Sequence, residues 1–262
     1  MAKIHPTAIV DPHAQLDNDV EVGPFTIIGP KVCISEGTVI GSNCLIEGRT
    51  TIGKNNKILQ FNSLGCIPQD KKYKGEDTAL EIGDNNSIHG YCTISLGTEG
   101  DCGVTRIGND NWIMAYVHLA HDVQLADHII IANYTGLAGH VHVGDHVVIG
   151  GLSGLHQFVH VGAHAMVGFS SAVSQDIPPF ITVDGNPAKV HGTNTEGMRR
   201  RGFTRERIAH IKTLYRLIYR ENLTLSAAQD KMRELQPDLS ESKLDTELML
   251  DFLQHSQRGI VR

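Results

Sequence analysis

Aliphatic residues recur at every sixth position along the first two thirds of the chain. The register meets no polar residue from Ile4 to Leu64, returns in phase from Ile82 to Ile94, and continues, displaced by one residue, from Ile107 to Val173. A period of six fits neither a 3.6-residue helix nor a simple alternating strand. Each hexad is therefore interpreted as one short extended segment with its aliphatic residue inward, followed by a bend.

Small residues accompany this register. Glycine often follows the aliphatic residue, as at Gly23 and Gly150, and a small side chain often holds the fifth position, as at Thr26 and Ala165. Such residues permit tight turns. Three hexads make the smallest closed coil, so residues 18 apart in the sequence should stack on one face and bury a continuous aliphatic column.

The tandem motif Leu/Ile/Val-Gly-x-x-small-x resembles the repeat of the hexapeptide-repeat acyltransferases, over residues 4 to about 178. The resemblance implies an all-β fold, the left-handed parallel β-helix. The left hand comes from the resemblance alone, because parallel β crossovers are generally right-handed.

Two polar insertions interrupt the repeat, at about 66–79 ("CIPQDKKYKGEDTA") and 96–104 ("LGTEGDCGV"). Loops that leave a solenoid commonly carry binding groups. The predicted domains are this β-helix over residues 1–190 and a C-terminal α-helical domain over residues 191–262.

The C-terminal region has helical rather than hexad patterning. Ile208, Ile211, Tyr215 and Ile218 form one helical stripe. Thr224 is the expected N-cap of a second helix, and residues 241–256 are expected to form a third.

Composition narrows the class of protein. The 262 residues carry a formal net charge of −6, which argues against general nucleic-acid binding because phosphate contacts need a basic surface. The chain has no apolar run near the roughly 18 residues of a membrane span and no signal-peptide core, so no stable membrane insertion and a cytoplasmic location are expected. Five cysteines without a C-x-x-C pair favour free thiols over disulfides or zinc.

The 18-residue coil sorts the fifteen histidines into columns, of which one holds His128, His146 and His164 and another holds His142 and His160. One interpretation is polar residues at solvent-facing turns, and the other is a column of metal ligands. Zinc carbonic anhydrases on the same scaffold have a histidine triplet whose spacing this sequence lacks. That difference disfavours the metal interpretation without excluding other arrangements of three imidazoles.

His118 and His121 directly follow the second insertion, and the coil period is expected to bring residues of the next two coils to the same side. The members of this group are His118, His121, His140, His156 and Gln157. Asp122 is placed to orient the His121 imidazole or to stabilise its protonated form. Imidazole titrates near neutral pH, so His121 is a candidate general base, and on the residues alone a catalytic role and a structural one are equally open.

Motifs along the whole chain resemble the UDP-N-acetylglucosamine 3-O-acyltransferase family. They are "VHLAHD", "LAGHV" and "HQF" in the repeat, "PQDKKY" in the first insertion, and "GNPA", "NTEGMRRRGF" and "RGIVR" downstream. The resemblance implies transfer of a 3-hydroxyacyl group from acyl carrier protein to the 3-hydroxyl of UDP-N-acetylglucosamine, the first step of lipid A biosynthesis in Gram-negative bacteria. It also implies a homotrimer with sites between subunits, no cofactor besides the acyl carrier as co-substrate, and no metal.

The same resemblance implies roles for individual residues. His121 would be the general base, Asp122 its support, and the backbone at Gly139 would face the thioester oxygen. Residues expected to bind the sugar nucleotide or the carrier, the last four of them at the neighbouring subunit, are Gln69, Asp70, Lys72, His118, His140, His156, Gln157, Asn194, Glu196, Arg200 and Arg201. Without the resemblance, the first insertion would hold only a surface salt pair, and residues 199–201 would be a solvated basic turn.

Two departures from the family pattern stand out. Ser95 and Leu96 occupy positions where the family often has histidine followed by arginine, which leaves the details of sugar binding open. Phe169 occupies a position that is often glycine in the wall of the acyl groove. We therefore expect Phe169 to shorten the accepted acyl chain.

Three alternatives are weighed against this interpretation. The sister N-acyltransferases carry a uridine-binding domain ahead of the repeat, for which a repeat starting at Ile4 leaves no room. Acetyl-coenzyme A acetyltransferases share the hexads but not "NTEGMRRRGF". A non-enzymatic solenoid or a zinc hydro-lyase would be distinguished by a metal assay with chelators. The acyl length, and a 3-hydroxyl or 3-amino acceptor, are left open.

Overall fold

The computed structural model describes residues 1–235 and 240–262, and up to Val173 the chain winds through three parallel sheets in turn. With strands numbered in chain order, sheet A contains β1 (Lys3–Ile4), β4 (Glu21–Val22), β7 (Val39–Ile40), β10 (Lys57–Ile58), β13 (Ser87–Ile88), β16 (Trp112–Ile113), β19 (Ile130–Ile131), β22 (Val148–Ile149), β25 (Met166–Val167), β27 (Ile181–Asp184) and β28 (Lys189–Thr193).

Sheet B contains β2 (Ile9–Val10), β5 (Ile27–Ile28), β8 (Leu45–Ile46), β11 (Ser63–Cys66), β14 (Thr93–Ser95), β17 (His118–Leu119), β20 (Gly136–Leu137), β23 (Gly154–Leu155) and β26 (Ala172–Val173). Sheet C contains β3 (Gln15–Leu16), β6 (Val32–Ile34), β9 (Arg49–Ile52), β12 (Ala79–Ile82), β15 (Val104–Ile107), β18 (Gln124–Leu125), β21 (His142–Val143) and β24 (His160–Val161). The three corners of the coil are therefore the A–B, B–C and C–A corners.

Backbone hydrogen bonds join each strand to the strand one coil further along. In sheet A, Trp112 pairs with Ile130 and Ile130 pairs with Val148, a spacing of 18 residues. The Ile130 N–H donates to the Val147 carbonyl at 2.9 Å. The hexad register therefore predicts the strand pairing correctly wherever no insertion intervenes.

The sixth-position aliphatic residues form the core, as predicted. Those from Val22 to Val173 are buried. Ile4, in the first coil, is 45% exposed because no coil stacks beneath it. The aliphatic column is therefore continuous but open at its N-terminal end.

Among the described residues, four helices follow the coil: α1 (Thr195–Arg200), α2 (Arg205–Tyr219), α3 (Leu225–Glu234) and α4 (Ser240–His255). Thr224 caps α3 as predicted, its hydroxyl accepting a backbone N–H of the first turn. Helix α2 buries Ile208, Ile211 and Ile218, whereas Tyr215 is partly buried against the core of the coil. The predicted domain boundary at residue 190 lies within β28, which pairs antiparallel with β27. Within residues 1–235 and 240–262, no helix is long and apolar enough to cross a membrane.

Asp176 ties the C-terminal segment to the last coil, and its side chain is fully buried. One carboxylate oxygen accepts the Ser256 hydroxyl at 2.7 Å and the N–H groups of Gln257 and Arg258 at 3.1 and 3.2 Å. The other oxygen accepts the His160 N–H at 2.8 Å. A buried carboxylate is stable only when donors meet its charge, so Asp176 and the C-terminal segment stabilise each other.

Replacing Asp176 with asparagine places an amide NH2 where an oxygen accepts, and leaves buried donors unsatisfied. We expect Asp176→Asn to lower the free energy of unfolding by about 2–4 kcal/mol. Backbone amides of residues 257–261 should exchange at least roughly tenfold faster, measured by hydrogen exchange with mass spectrometry. The matched control is Asp230→Asn, at an exposed carboxylate. Unchanged protection of residues 257–261 in Asp176→Asn would contradict this role.

Candidate active site

Two adjacent columns of side chains line the B–C corner. One contains His121, Gly139 and Gln157, and the other contains Asp122, His140 and Phe158. Asp122, His140 and Phe158 have backbone φ values of 59°, 62° and 65°, in the left-handed region that turns the chain through the corner. The His121 and His140 rings, from adjacent columns, meet edge to face at 4.9 Å between centroids. The predicted convergence of His121 and His140 is therefore observed.

His121 and Asp122 form a buried hydrogen-bonded pair. Their Nδ1 and Oδ2 atoms are 2.9 Å apart, and the Asp122 side chain has no exposed surface. A carboxylate only accepts hydrogen bonds, so Nδ1 carries the proton and Nε2 keeps a lone pair in the neutral imidazole. This is the tautomer that a general base at Nε2 needs.

Residues of the second insertion and of β15 hold Asp122 in place. The Thr98 N–H and hydroxyl both donate to the Asp122 carboxylate, at 3.0 and 2.6 Å. The Asp122 N–H donates to the buried Thr105 hydroxyl at 2.9 Å. Sequence reasoning missed both threonines. The signal for Thr98 was the position of the insertion directly before the histidine group, whereas Thr105, in β15, holds the small fifth position of the hexad.

Gly139 lies directly against the His121 ring. A Cβ added to Gly139 would lie 2.5 Å from His121 Cε1 and 2.7 Å from His121 Nε2, so only glycine lets the backbone approach this closely. In the part of the chain that the structure describes, the Gly139 N–H donates to no protein acceptor. That N–H is therefore available to a ligand beside the imidazole.

His140 is fixed by two residues that sequence reasoning did not select. Its Nδ1 lies 2.7 Å from Asp101 Oδ2, and its ring stacks on Phe158 at 4.4 Å. Phe158 follows His140 by 18 residues, so the coil period was the available signal for it. Asp101 belongs to the second insertion and has no periodic signal.

The other predicted repeat residues lie around the same corner. His118 Nδ1 is 2.7 Å from the Thr93 hydroxyl. Burial, and then the neighbouring His121, lower the pKa of His118, so this imidazole is neutral near pH 7. His156 and Gln157 are exposed, further along the coil.

Gln69, Asp70 and Lys72 lie in the first insertion, between β11 of sheet B and β12 of sheet C. The second insertion, between β14 and β15, leaves the coil at the same corner. Asp70 accepts the Lys72 backbone N–H at 2.9 Å, and the Lys72 side chain is exposed. Both insertions and the His121 pair therefore share the B–C corner.

Four predicted binding residues lie elsewhere, along α1 from its N-cap to its C-cap, beside the C–A corner: Asn194, Glu196, Arg200 and Arg201. The Arg201 guanidinium donates to the His146 carbonyl at 2.7 Å, and the Asn194 amide donates to the His164 carbonyl at 2.9 Å. Within one chain these four residues are not brought to the corner that holds His121.

The remaining histidine columns are stacks of rings. Centroid separations are 4.7 Å for His128 on His146, 4.9 Å for His146 on His164, and 4.5 Å for His142 on His160. His128 is exposed, as the solvent-facing interpretation predicts. That interpretation is wrong for His164, because its ring stacks on Phe180. Burial lowers the pKa of His164 to about 3.

Ser95 and Leu96 are both buried, at 1% and 5% exposure, so their side chains fill the protein interior rather than face a ligand. Phe169, in contrast, is 69% exposed at the A–B corner. Its ring lies 3.6 Å from the place of a Cβ on Gly151, one coil earlier, and so covers that glycine.

The strip of sheet B between His118 and Phe169 is lined by small residues. In register with His118 lie Gly136, Gly154 and Ala172. A Cβ placed on either glycine would meet nothing within 4 Å, so the space above the strip is open. The strip joins the B–C corner to Phe169.

The ligand atoms of His121, Asp122 and His140 all lie within 4.8 Å of one another, a spacing compatible with a bound cation on distance alone. However, Asp122 Oδ2 already accepts the Thr98 hydroxyl and lies 2.9 Å from His121 Nδ1. The contacts are those of a hydrogen-bonded pair, and the absence of a metal stays a prediction.

Comparisons with known proteins identify the family of this chain. A family model described as UDP N-acetylglucosamine O-acyltransferase, domain 2, matches residues 176–261, and one described as bacterial transferase hexapeptide (six repeats) matches residues 105–139. The acyl-(acyl-carrier-protein)–UDP-N-acetylglucosamine O-acyltransferase of Paracidovorax citrulli is 58% identical over 262 residues, 100% of both chains.

Solved structures agree with these relatives. LpxA from Acinetobacter baumannii superimposes with a TM-score of 0.95 at 46% identity, and UDP-N-acetylglucosamine O-acyltransferase from Moraxella catarrhalis with 0.95 at 45%, each covering 99% of both chains. The left-handed parallel β-helix with C-terminal helices, expected from the resemblance, fits these relatives. With this identity over its full length, the chain belongs to the acyl-(acyl-carrier-protein)–UDP-N-acetylglucosamine O-acyltransferase family.

Proposed function

We propose that the chain transfers a 3-hydroxyacyl group from acyl carrier protein to the 3-hydroxyl of UDP-N-acetylglucosamine, in the cytoplasm, as the first step of lipid A biosynthesis. The observation that carries the proposal is the buried His121–Asp122 pair with Gly139 against its free nitrogen. The names of the relatives support the two substrates. The five unpaired cysteines support a reducing compartment.

A sugar hydroxyl is a weak nucleophile, so the proposed reaction needs a base. His121 Nε2 takes the hydroxyl proton as the oxygen bonds to the thioester carbon, and the Asp122 carboxylate stabilises the imidazolium that forms. The Gly139 N–H donates to the developing oxyanion. As the tetrahedral intermediate collapses, the carbon–sulfur bond breaks and His121 returns the proton to the departing thiolate. No cofactor takes part, and the acyl carrier is a co-substrate.

The polar groups around the pair would orient the sugar nucleotide. Lys72, in the first insertion, offers an exposed point charge to the diphosphate, with Gln69 and Asp70 beside it. Neutral His118 and the exposed His156 would contact the sugar. Gln157 and His140 complete the proposed contacts at the same corner.

We infer a homotrimer in which α1 of one subunit faces the B–C corner of its neighbour. Arg200 and Arg201 would then offer planar donors to the nucleotide phosphates or to the carrier, alongside Asn194 and Glu196. The separation of these residues from His121 within one chain supports this arrangement. The outer face of sheet A also exposes 47% of Trp112, an apolar surface suited to contact with another copy.

We propose that the open strip of sheet B holds the acyl chain and that Phe169 limits its length. Phe169 follows His121 by 48 residues, fewer than three coils, which at ~4.8 Å per strand gives roughly 13 Å along the coil axis. The exposed ring beyond the two glycines of the strip would meet the end of the chain.

Removing the imidazole removes the base. We expect His121→Ala to lower kcat by about 10²–10⁴-fold, measured with purified protein, 3-hydroxyacyl carriers and UDP-N-acetylglucosamine or its 3-amino analogue, with and without a chelator. The control His128→Ala removes an exposed histidine and should leave kcat unchanged. Near-parental turnover by His121→Ala would show the mechanism to be wrong, and loss of parental activity in chelator would favour a metal enzyme.

Shared sites make a complementation test possible. We expect Arg200→Ala and His121→Ala each to be inactive alone. Mixed trimers, co-expressed and purified through two different tags, should regain part of the parental activity because one intact site can form from two subunits. Absence of any regain in mixed trimers of confirmed composition would place both residues in a site within one subunit.

Opening the end of the strip should lengthen the accepted chain. We expect Phe169→Gly to shift the preferred acyl carrier toward longer chains, since each further buried methylene contributes about 0.8 kcal/mol. The measurement is kcat/KM over a series of acyl lengths. Phe25→Gly, at another exposed aromatic residue of the A–B corner, is the control. An unchanged length profile for Phe169→Gly would rule out the proposed limit.

A further inference from the structure

The second insertion carries a carboxylate that the mechanism above does not use. Asp101 Oδ2 lies 2.7 Å from His140 Nδ1, whereas Asp122 Oδ2 lies 3.9 Å from the same nitrogen. The Asp101 side chain is 39% exposed and that of His140 is 12% exposed. Asp101 is therefore the direct partner of a nearly buried imidazole beside the catalytic pair.

The Asp101 contact sets the chemical form of His140. Because a carboxylate can only accept, the neutral His140 ring carries its proton on Nδ1 and keeps a lone pair on Nε2. The stack on Phe158 at 4.4 Å fixes the plane of the ring. Together the two contacts leave the His140 ring one orientation and one tautomer.

One loop thus supports two imidazoles of the site, those of His121 and His140. Thr98 holds Asp122, which pairs with His121, and Asp101, three residues later, pairs with His140. Asp101 also lies near enough to His142 to oppose the lowering of the His142 pKa by burial and by His160. The second insertion is therefore anchored at the site by two side chains with separate targets.

Building on the function proposed above, we propose that Asp101 is a positioning residue for acyl transfer. It holds His140 with Nε2 as a hydrogen-bond acceptor, and Nε2 takes a hydroxyl or amide hydrogen of the acceptor sugar nucleotide while His121 removes the reacting proton. Asp101 acts on the sugar through His140 and does not touch the reacting atoms.

The test compares Asp101→Asn, Asp101→Glu and the control Glu99→Gln, which removes one charge from an exposed residue of the same loop. Asparagine can donate as well as accept, so it no longer imposes the tautomer. We expect Asp101→Asn to lower kcat/KM for UDP-N-acetylglucosamine roughly 10- to 100-fold, with KM for the acyl carrier unchanged. Asp101→Glu should keep most of the parental kcat/KM for UDP-N-acetylglucosamine, and Glu99→Gln should have the parental value.

A double-mutant cycle separates this role from simple support of the loop. In a His140→Gln background, Asp101→Asn should have little further effect, because its target is absent. An undiminished loss in that background, an equal rise in KM for the acyl carrier, or parental kinetics for Asp101→Asn would each overturn the proposal. His121→Ala, assayed in parallel, tests only the proposed general base. Failure of the proposed function is therefore distinguishable from failure of the Asp101 role.

Discussion

Parallel backbone hydrogen bonds between successive coils are the interaction on which the rest of this structure depends. Most strands are only two residues long, and none could persist without a strand above or below it. Stacking pairs the backbone and at the same time buries the sixth-position aliphatic residues from Val22 onward. Each coil therefore derives its stability from its neighbours, and the three corners are repeated along the axis.

The repeated corner explains why the chemistry lies where it does. A left-handed backbone at Asp122, His140 and Phe158 places side chains of successive coils in register, and Gly139 lets the backbone reach the His121 ring. The periodic scaffold supplies rigid spacing. The two insertions, which leave at this same corner, supply the groups that no repeat could provide, among them Thr98 and Asp101.

Up to Val173 and away from the two insertions, the hexad pattern was sufficient to predict the strands, their 18-residue pairing and the neighbours of His121 in the next coil, because all three follow from one period. The hexad pattern could not predict the partners of Asp122 and His140 in the second insertion, because the path of a loop depends on many weak local contacts. For the same reason the coil period could not show that His164 is covered, because the covering rings come from the end of the repeat and from the helical region. Residues such as Arg201 were predicted through resemblance, and one chain alone leaves them apart from His121.

The two ends of the coil are not equivalent. The C-terminal end is closed by the helices and by the Asp176 contacts, whereas the first coil leaves Ile4 exposed. Local opening should therefore begin with the N-terminal coils and spread from there toward the later coils. The His121 corner lies several coils from the N-terminal end, so opening confined to the first turns would leave the contacts of the site in place.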